Sequence, residues 1–97
     1  MENVLVLSSK DNVGNAIEDI RPKDKAVYII LGQKYELMTQ ETIPFGFKVA
    51  VKDIKMGQDV LKYGEVIGKA SRDIIKGELV HIHNMEGKRG RGDIINR

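Results

Sequence analysis

One short pattern recurs three times in this chain of 97 residues, and it constrains the fold more than any other feature. Ala16-Ile17-Glu18-Asp19-Ile20-Arg21-Pro22-Lys23, Ala50-Val51-Lys52-Asp53-Ile54-Lys55-Met56-Gly57 and Ala70-Ser71-Arg72-Asp73-Ile74-Ile75-Lys76-Gly77 share the form Ala-x-x-Asp-Ile-x-x-Gly/Lys. Each copy leads into an apolar run. The chemistry is that of a corner. Asp starts a turn by accepting from nearby backbone amides, and Ile anchors the turn in the core. Gly supplies the positive φ from which the next strand leaves. The copies begin at Ala16, Ala50 and Ala70, a spacing too uneven for a solenoid. They predict the corners of one compact, strongly bent β domain.

The segments between the corners agree. Val4–Leu7, Ala26–Leu31, Lys34–Met38, Lys48–Val51, Glu65–Ala70 and Glu78–His83 are short runs rich in Val and Ile, and they read as strands. Gly32-Gln33 between two of them reads as a two-residue hairpin loop of type II′. No segment carries a 3.6-residue apolar period over the 11 or more residues that a helix assignment needs. Asn12–Glu18 is the one ambiguous stretch. Val13, Ala16 and Ile17 would line a helical face there, capped by Asp11 or Asn12. The expected fold is a mostly-β single domain with at most one or two short helices. It spans residues 1–86 and is followed by a basic, glycine-rich tail at 87–97.

Composition excludes several function classes. The chain has no cysteine, so it has no disulfide framework, thiolate metal site or cysteine nucleophile. Its opening apolar run is too short for a signal peptide and lacks a basic flank. Nothing in it approaches the roughly 20 apolar residues of a membrane span. The expectation is a cytoplasmic protein with no membrane partner. The net charge of +2 and the few aromatics, which do not interleave with basic residues, argue against nucleic acid. The charge is uneven: five basic and seven acidic residues lie in 1–47, and eleven basic and seven acidic in 48–97. A positive second half suits a small anionic ligand or an acidic partner surface.

The two histidines, His81 and His83, stand at i and i+2 of an expected strand, so both would project from one face. Two imidazoles so placed suit a divalent metal or a carboxylate. A metal would need a third ligand, open among Asp11, Asp93 and a partner chain. The bland alternative is an exposed His pair on an edge strand. Asp11-Asn12 reads as a turn or cap. Lys62-Tyr63-Gly64 offers a cation and a hydroxyl beside a turn. The segment Gly87–Gly92 could wrap an anion, but it lacks the P-loop pattern.

Taken in order, several motifs resemble the SAF domain of the altronate and galactarate dehydratase family. They are Asp11-Asn12-Val13, Ile43-Pro44-Phe45-Gly46-Phe47-Lys48-Val49-Ala50, Val60-Leu61-Lys62-Tyr63-Gly64-Glu65-Val66-Ile67-Gly68, Val80-His81-Ile82-His83-Asn84 and Arg89-Gly90-Arg91-Gly92-Asp93. The small subunit of sulfolactate sulfo-lyases is similar as well. The resemblance implies a β-clip fold and a lyase that removes water from a sugar acid. It also implies a divalent metal, iron(II) or manganese or magnesium. His81 and His83 then become contributors to catalysis and metal binding, and Asp11, Asn12, Lys62, Tyr63, Asn84, Arg89 and Arg91 become substrate-binding residues. The chain stops where the family's large catalytic domain would begin, so a separate small subunit with a large dehydratase partner, or a homo-oligomer, is expected. Two positions depart from the family pattern: Ser8 and Phe47 stand where histidines are usual. They favour a rival reading, a stand-alone module that binds an anionic carbohydrate or serves assembly.

Overall fold

The computed structural model describes residues 1–87. It is a β-clip of nine short strands: β1 (Val4–Leu5), β2 (Val13–Ala16), β3 (Lys25–Ile30), β4 (Gln33–Met38), β5 (Lys48–Ala50), β6 (Asp59–Lys62), β7 (Glu65–Ala70), β8 (Leu79–Val80) and β9 (Met85–Gly87). All strand pairing is antiparallel. A central sheet runs β1-β2-β5-β8, with the β3-β4 ribbon and the β6-β7-β9 sheet beside it. No helix of the described residues is long and apolar enough to cross a membrane.

The central sheet is apolar on both faces because its residues alternate between two cores. Val4, Ala16 and Val49 enter one cluster with Ala26, Tyr28 and Leu37 of the ribbon. Val13, Ala50 and Val80 enter the other, with Val60, Ala70 and Ile74. Each buried Val or Ile contributes about 1.5–3 kcal/mol relative to exposure.

The corners lie where expected, with a fourth beside them among the described residues, but their aspartates bond amides of a facing corner and not the nearby amides that were expected. Ile20 pairs with Ile43, and Ile54 with Ile74, through reciprocal amide bonds of 2.7–2.9 Å. All four isoleucines are fully buried. Each corner aspartate reaches the facing corner. Asp19 accepts from the Phe45 amide, Asp53 from Lys76 and Asp73 from Met56, each at 2.8 Å. The fourth corner, Thr42-Ile43-Pro44-Phe45-Gly46, carries Thr in place of Asp. The amide its aspartate would meet belongs to Pro22, which has no N–H. The turns place Lys23, Gly46, Gly57 and Gly77 at φ 67°, 87°, 90° and 96°.

Three local expectations are corrected. The ambiguous segment is strand β2, held between β1 and β5. A Cβ on its Gly14 would press on the side chains of Val4 and Val6, so bare backbone is what lets β1 close over it. The hairpin loop is Leu31-Gly32, with Ile30 paired to Gln33. Both loop residues have positive φ (51° and 80°), which makes the turn type I′. Finally, the strand expected to run through His83 ends at Val80.

Candidate functional site

The Asp11-Asn12 pair organises one end of the molecule. Asp11 is 1% exposed. Its Oδ1 accepts from the Gly64 amide at 2.8 Å, and its Oδ2 accepts from Tyr63 at 2.9 Å and Ser8 at 3.3 Å. Asn12 Oδ1 accepts from the Leu61 amide at 2.7 Å, and its Nδ2 donates to the Asp59 carbonyl at 2.9 Å. Together they fasten the β1–β2 connection to the β6–β7 hairpin. The hairpin tip Tyr63-Gly64 is a second type I′ turn, with φ 56° and 80°. A carboxylate that accepts three amides serves as a fixed anchor for the tip. The tip in turn carries Lys62, whose Nζ lies 5.0 Å from the Tyr63 ring centroid.

On the central sheet stands a residue that the sequence did not single out. Lys48 opens β5, directly opposite Asn15 of β2 on one side and Val80 of β8 on the other. Its side chain is half-buried. Burial first, and then the charge of Lys62, hold its ammonium below the ordinary lysine value. Among the described residues no carboxylate forms a salt bridge with Lys48 or Lys62. Asn15 donates from Nδ2 to the Gly46 carbonyl at 3.1 Å, while its buried Oδ1 has no partner among the described residues. The signal for Lys48 was present in strand alternation: a lysine two residues before the core residue Ala50 shares its face.

The histidines occupy a turn. Asn84 is 3% exposed; its Oδ1 accepts from the His81 amide at 2.9 Å and its Nδ2 donates to the Leu79 carbonyl at 2.8 Å. That clamp turns the chain after Val80 and delivers Met85 to its pairing with Ala70. His81 and His83 are both exposed, and the same-face relation of strand neighbours does not hold between them. The His81 ring packs on Phe47, with centroids 5.1 Å apart and planes at 59°. Phe47 and His81 thus meet across β5 and β8, just beyond Lys48. Arg89 and Arg91 lie outside the described residues.

The donors required by a divalent ion are not gathered here. Among the described residues no three His, Asp or Glu side chains converge. Asp11 is fully engaged by amides, and His81 faces an aromatic ring, so these residues do not fit a resident metal.

A shallow depression of about 580 Å³ lies on the outer side of β6, lined by Lys10, Asn12, Lys52, Asp59 and Lys69 among others. Two of its cations are already engaged. Lys69 pairs with Asp59 at 3.3 Å, and Lys52 donates to the Ser9 carbonyl at 3.0 Å. Neither Lys48 nor Lys62 lines this depression.

Four corners, three small sheets and a buried Asp-Asn staple define the class, a SAF-type β-clip module. A family model described as the altronate/galactarate dehydratase SAF domain matches residues 2–88, and the chain belongs to that family. It is 32% identical over 84 residues to the altronate dehydratase of Bacillus subtilis (strain 168), covering 87% of this chain and 16% of that protein. It is 46% identical over 55 residues to the (2R)-sulfolactate sulfo-lyase subunit alpha of Paracoccus pantotrophus, covering 57% of this chain and 82% of that one. A subunit alpha of the same name from Chromohalobacter salexigens is 40% identical over 50 residues, covering 52% and 53%. The chain therefore spans a small part of the altronate dehydratase and most of the shorter Paracoccus subunit.

Proposed function

We propose that the chain is the SAF subunit of an altronate dehydratase-type hydro-lyase and works in the cytoplasm with a separate large catalytic chain. The observation that carries this is the stapled tip: Asp11 and Asn12 fix the backbone on either side of Lys62, whose charge is felt at the half-buried Lys48, and no carboxylate among the described residues forms a salt bridge with either. Eliminating water from a hydroxy acid removes a proton beside a carboxylate. Negative charge then builds on that carboxylate, and fixed cations stabilise it. In this reading Lys62 and Lys48 face the acid, Tyr63 and His81 border it, and Asp11, Asn12 and Asn84 position the elements that carry them. Proton abstraction and departure of the hydroxyl fall to the large chain, as does any iron(II), manganese or magnesium ion.

The test is co-expression with a large altronate dehydratase-type chain, followed by co-purification and a turnover screen over sugar acids. The expected result is a stable pair that consumes at least one acid while the lone chain consumes none. Turnover by the lone chain, or two chains that never associate, would overturn the proposal. The second reading, a non-catalytic module that binds an anionic carbohydrate, draws support from Phe47. Its ring covers His81, where the family pattern has a second imidazole. Binding of sugar acids with no partner and no turnover is its signature.

A further inference from the structure

We propose that the outer edge of β4 pairs with the same edge of a second copy of this chain, antiparallel and across a two-fold axis at Tyr35. This goes beyond the reading above and uses none of the residues assigned there to the acid.

Among the described residues the β3-β4 ribbon has one open edge. The β3 side is closed by Asn3. Its amide donates to the Val27 carbonyl at 3.0 Å, its Oδ1 accepts from the Val27 amide at 2.8 Å, and its Nδ2 donates to the Lys25 carbonyl at 3.0 Å. On the β4 side the register decides what is free. Hydrogen-bonded and non-hydrogen-bonded pairs alternate along an antiparallel ladder. The two-residue turn makes Ile30 and Gln33 a bonded pair, so Tyr28 with Tyr35 and Ala26 with Leu37 are bonded pairs too. The amides and carbonyls of Lys34 and Glu36 therefore point away from β3, and no backbone group among the described residues meets them. Farther along the edge closes, where the Gln40 amide donates to the Gly77 carbonyl at 2.9 Å. The open window is residues 33–37, and such an edge is a template for another strand.

The side chains of this window name the occupant and the register. Pairing centred on Tyr35 sets Lys34 of each copy opposite Glu36 of the other, and both positions are those with free backbone groups. Sliding the strands by one repeat sets Lys34 opposite Lys34, or Glu36 opposite Glu36, and like charges directly opposite are destabilising. The edge is thus complementary to itself in one register. Within one chain Glu36 already holds Lys34 at 3.3 Å and Lys25 at 3.4 Å. Two lysines then share one carboxylate, so Lys34 has charge to spare for a second. On the opposite face Tyr35 is 40% exposed and stacks on the buried Tyr28, with centroids 5.2 Å apart and planes at 9°. The pairing sets the two Tyr35 side chains opposite each other at a non-hydrogen-bonded position, where side chains are closest. A row of four tyrosines results, and apolar ring surface leaves water. The contact is isologous, so it closes at two copies.

The test is sedimentation of the full chain at roughly micromolar to millimolar concentrations, the range suited to a small interface, together with amide hydrogen exchange. The parent should dimerise reversibly, with protection of the Lys34 and Glu36 amides growing with concentration. Lys34→Glu and Glu36→Lys, each checked for an unchanged fold by its spectrum, should each weaken self-association by about tenfold or more, because each sets like charges opposite one another. An equimolar mixture of the two variants should restore the dimer, since every lysine then meets a glutamate across the edge. A parent that stays monomeric throughout would overturn the proposal. So would a dimer that both variants retain, or assembly that continues past two copies. Protection of these amides only when a large catalytic chain is present would give the edge to that chain and overturn the second copy as its occupant.

Discussion

The fully buried polar side chains Asp11, Thr39 and Asn84 all hold backbone groups. Asp11→Ala would strand the amides of Ser8, Tyr63 and Gly64 without an acceptor, and should cost about 3 kcal/mol in urea denaturation. Lys48, half-buried, is a liability in the folded chain. Its folded proton affinity lies below the ordinary value of 10.5, chiefly through burial and then through Lys62. The unfolded chain therefore binds that proton more tightly. The contribution of this group to stability rises with pH between the folded value and 10.5. Lys48→Met should melt higher than the parent at neutral pH. Its advantage should shrink as the pH is raised through that window. A melting temperature unchanged at neutral pH would count against a half-buried, unpaired ammonium.

At the scale of elements, the corners explain the sheet order, and each turn asks for a different residue. Gly57 and Gly77 both have positive φ, but a Cβ at Gly57 meets open space and one at Gly77 runs into the Met38 carbonyl. Gly57→Ala should cost about 1–2 kcal/mol from the left-handed backbone alone. Gly77→Ala should cost clearly more, and Lys23→Gly should lie within about 0.5 kcal/mol of the parent. Chemical denaturation of the three variants checks the series. The β3–β4 ribbon gives a separate test. Tyr28 stacks on Tyr35 with centroids 5.2 Å apart, and burial, aided by Tyr35, raises its pKa above 10.0. The stability tied to the neutral phenol is complete below pH 10 and is lost as pH climbs through the folded value. Tyr28→Phe should flatten that alkaline loss in melting curves. Three corners were legible because Asp, Ile and then Gly or Lys fall at fixed offsets. The fourth was hidden because Pro22 removes the amide that would require an aspartate. The type I′ turn at Leu31-Gly32 was obscured by an exposed leucine in a position that glycine or asparagine usually fills.

For the whole molecule, the β-clip and its family were legible from the order of weak motifs, and those within the described residues include a turn or a staple. The binding edge was only half legible. Lys62 and Tyr63 were named from a motif, but their rigidity depends on Asp11 and Asn12, roughly fifty residues away in sequence. Lys48 and Asn15 come together only through strand pairing, and the turn at His81–Asn84 depends on a side-chain clamp that periodicity does not encode. The central claim is that this module supplies the cationic edge of a two-chain sugar-acid lyase. The most direct measurement is steady-state kinetics of the co-purified pair, with the small chain as parent or as Lys62→Gln. The account predicts that the variant still pairs, and that its KM for the acid rises at least about tenfold, the effect of removing one fixed cation from a buried anion. Kinetics identical to the parent would contradict the claim, because the acid would then be bound without this chain's tip.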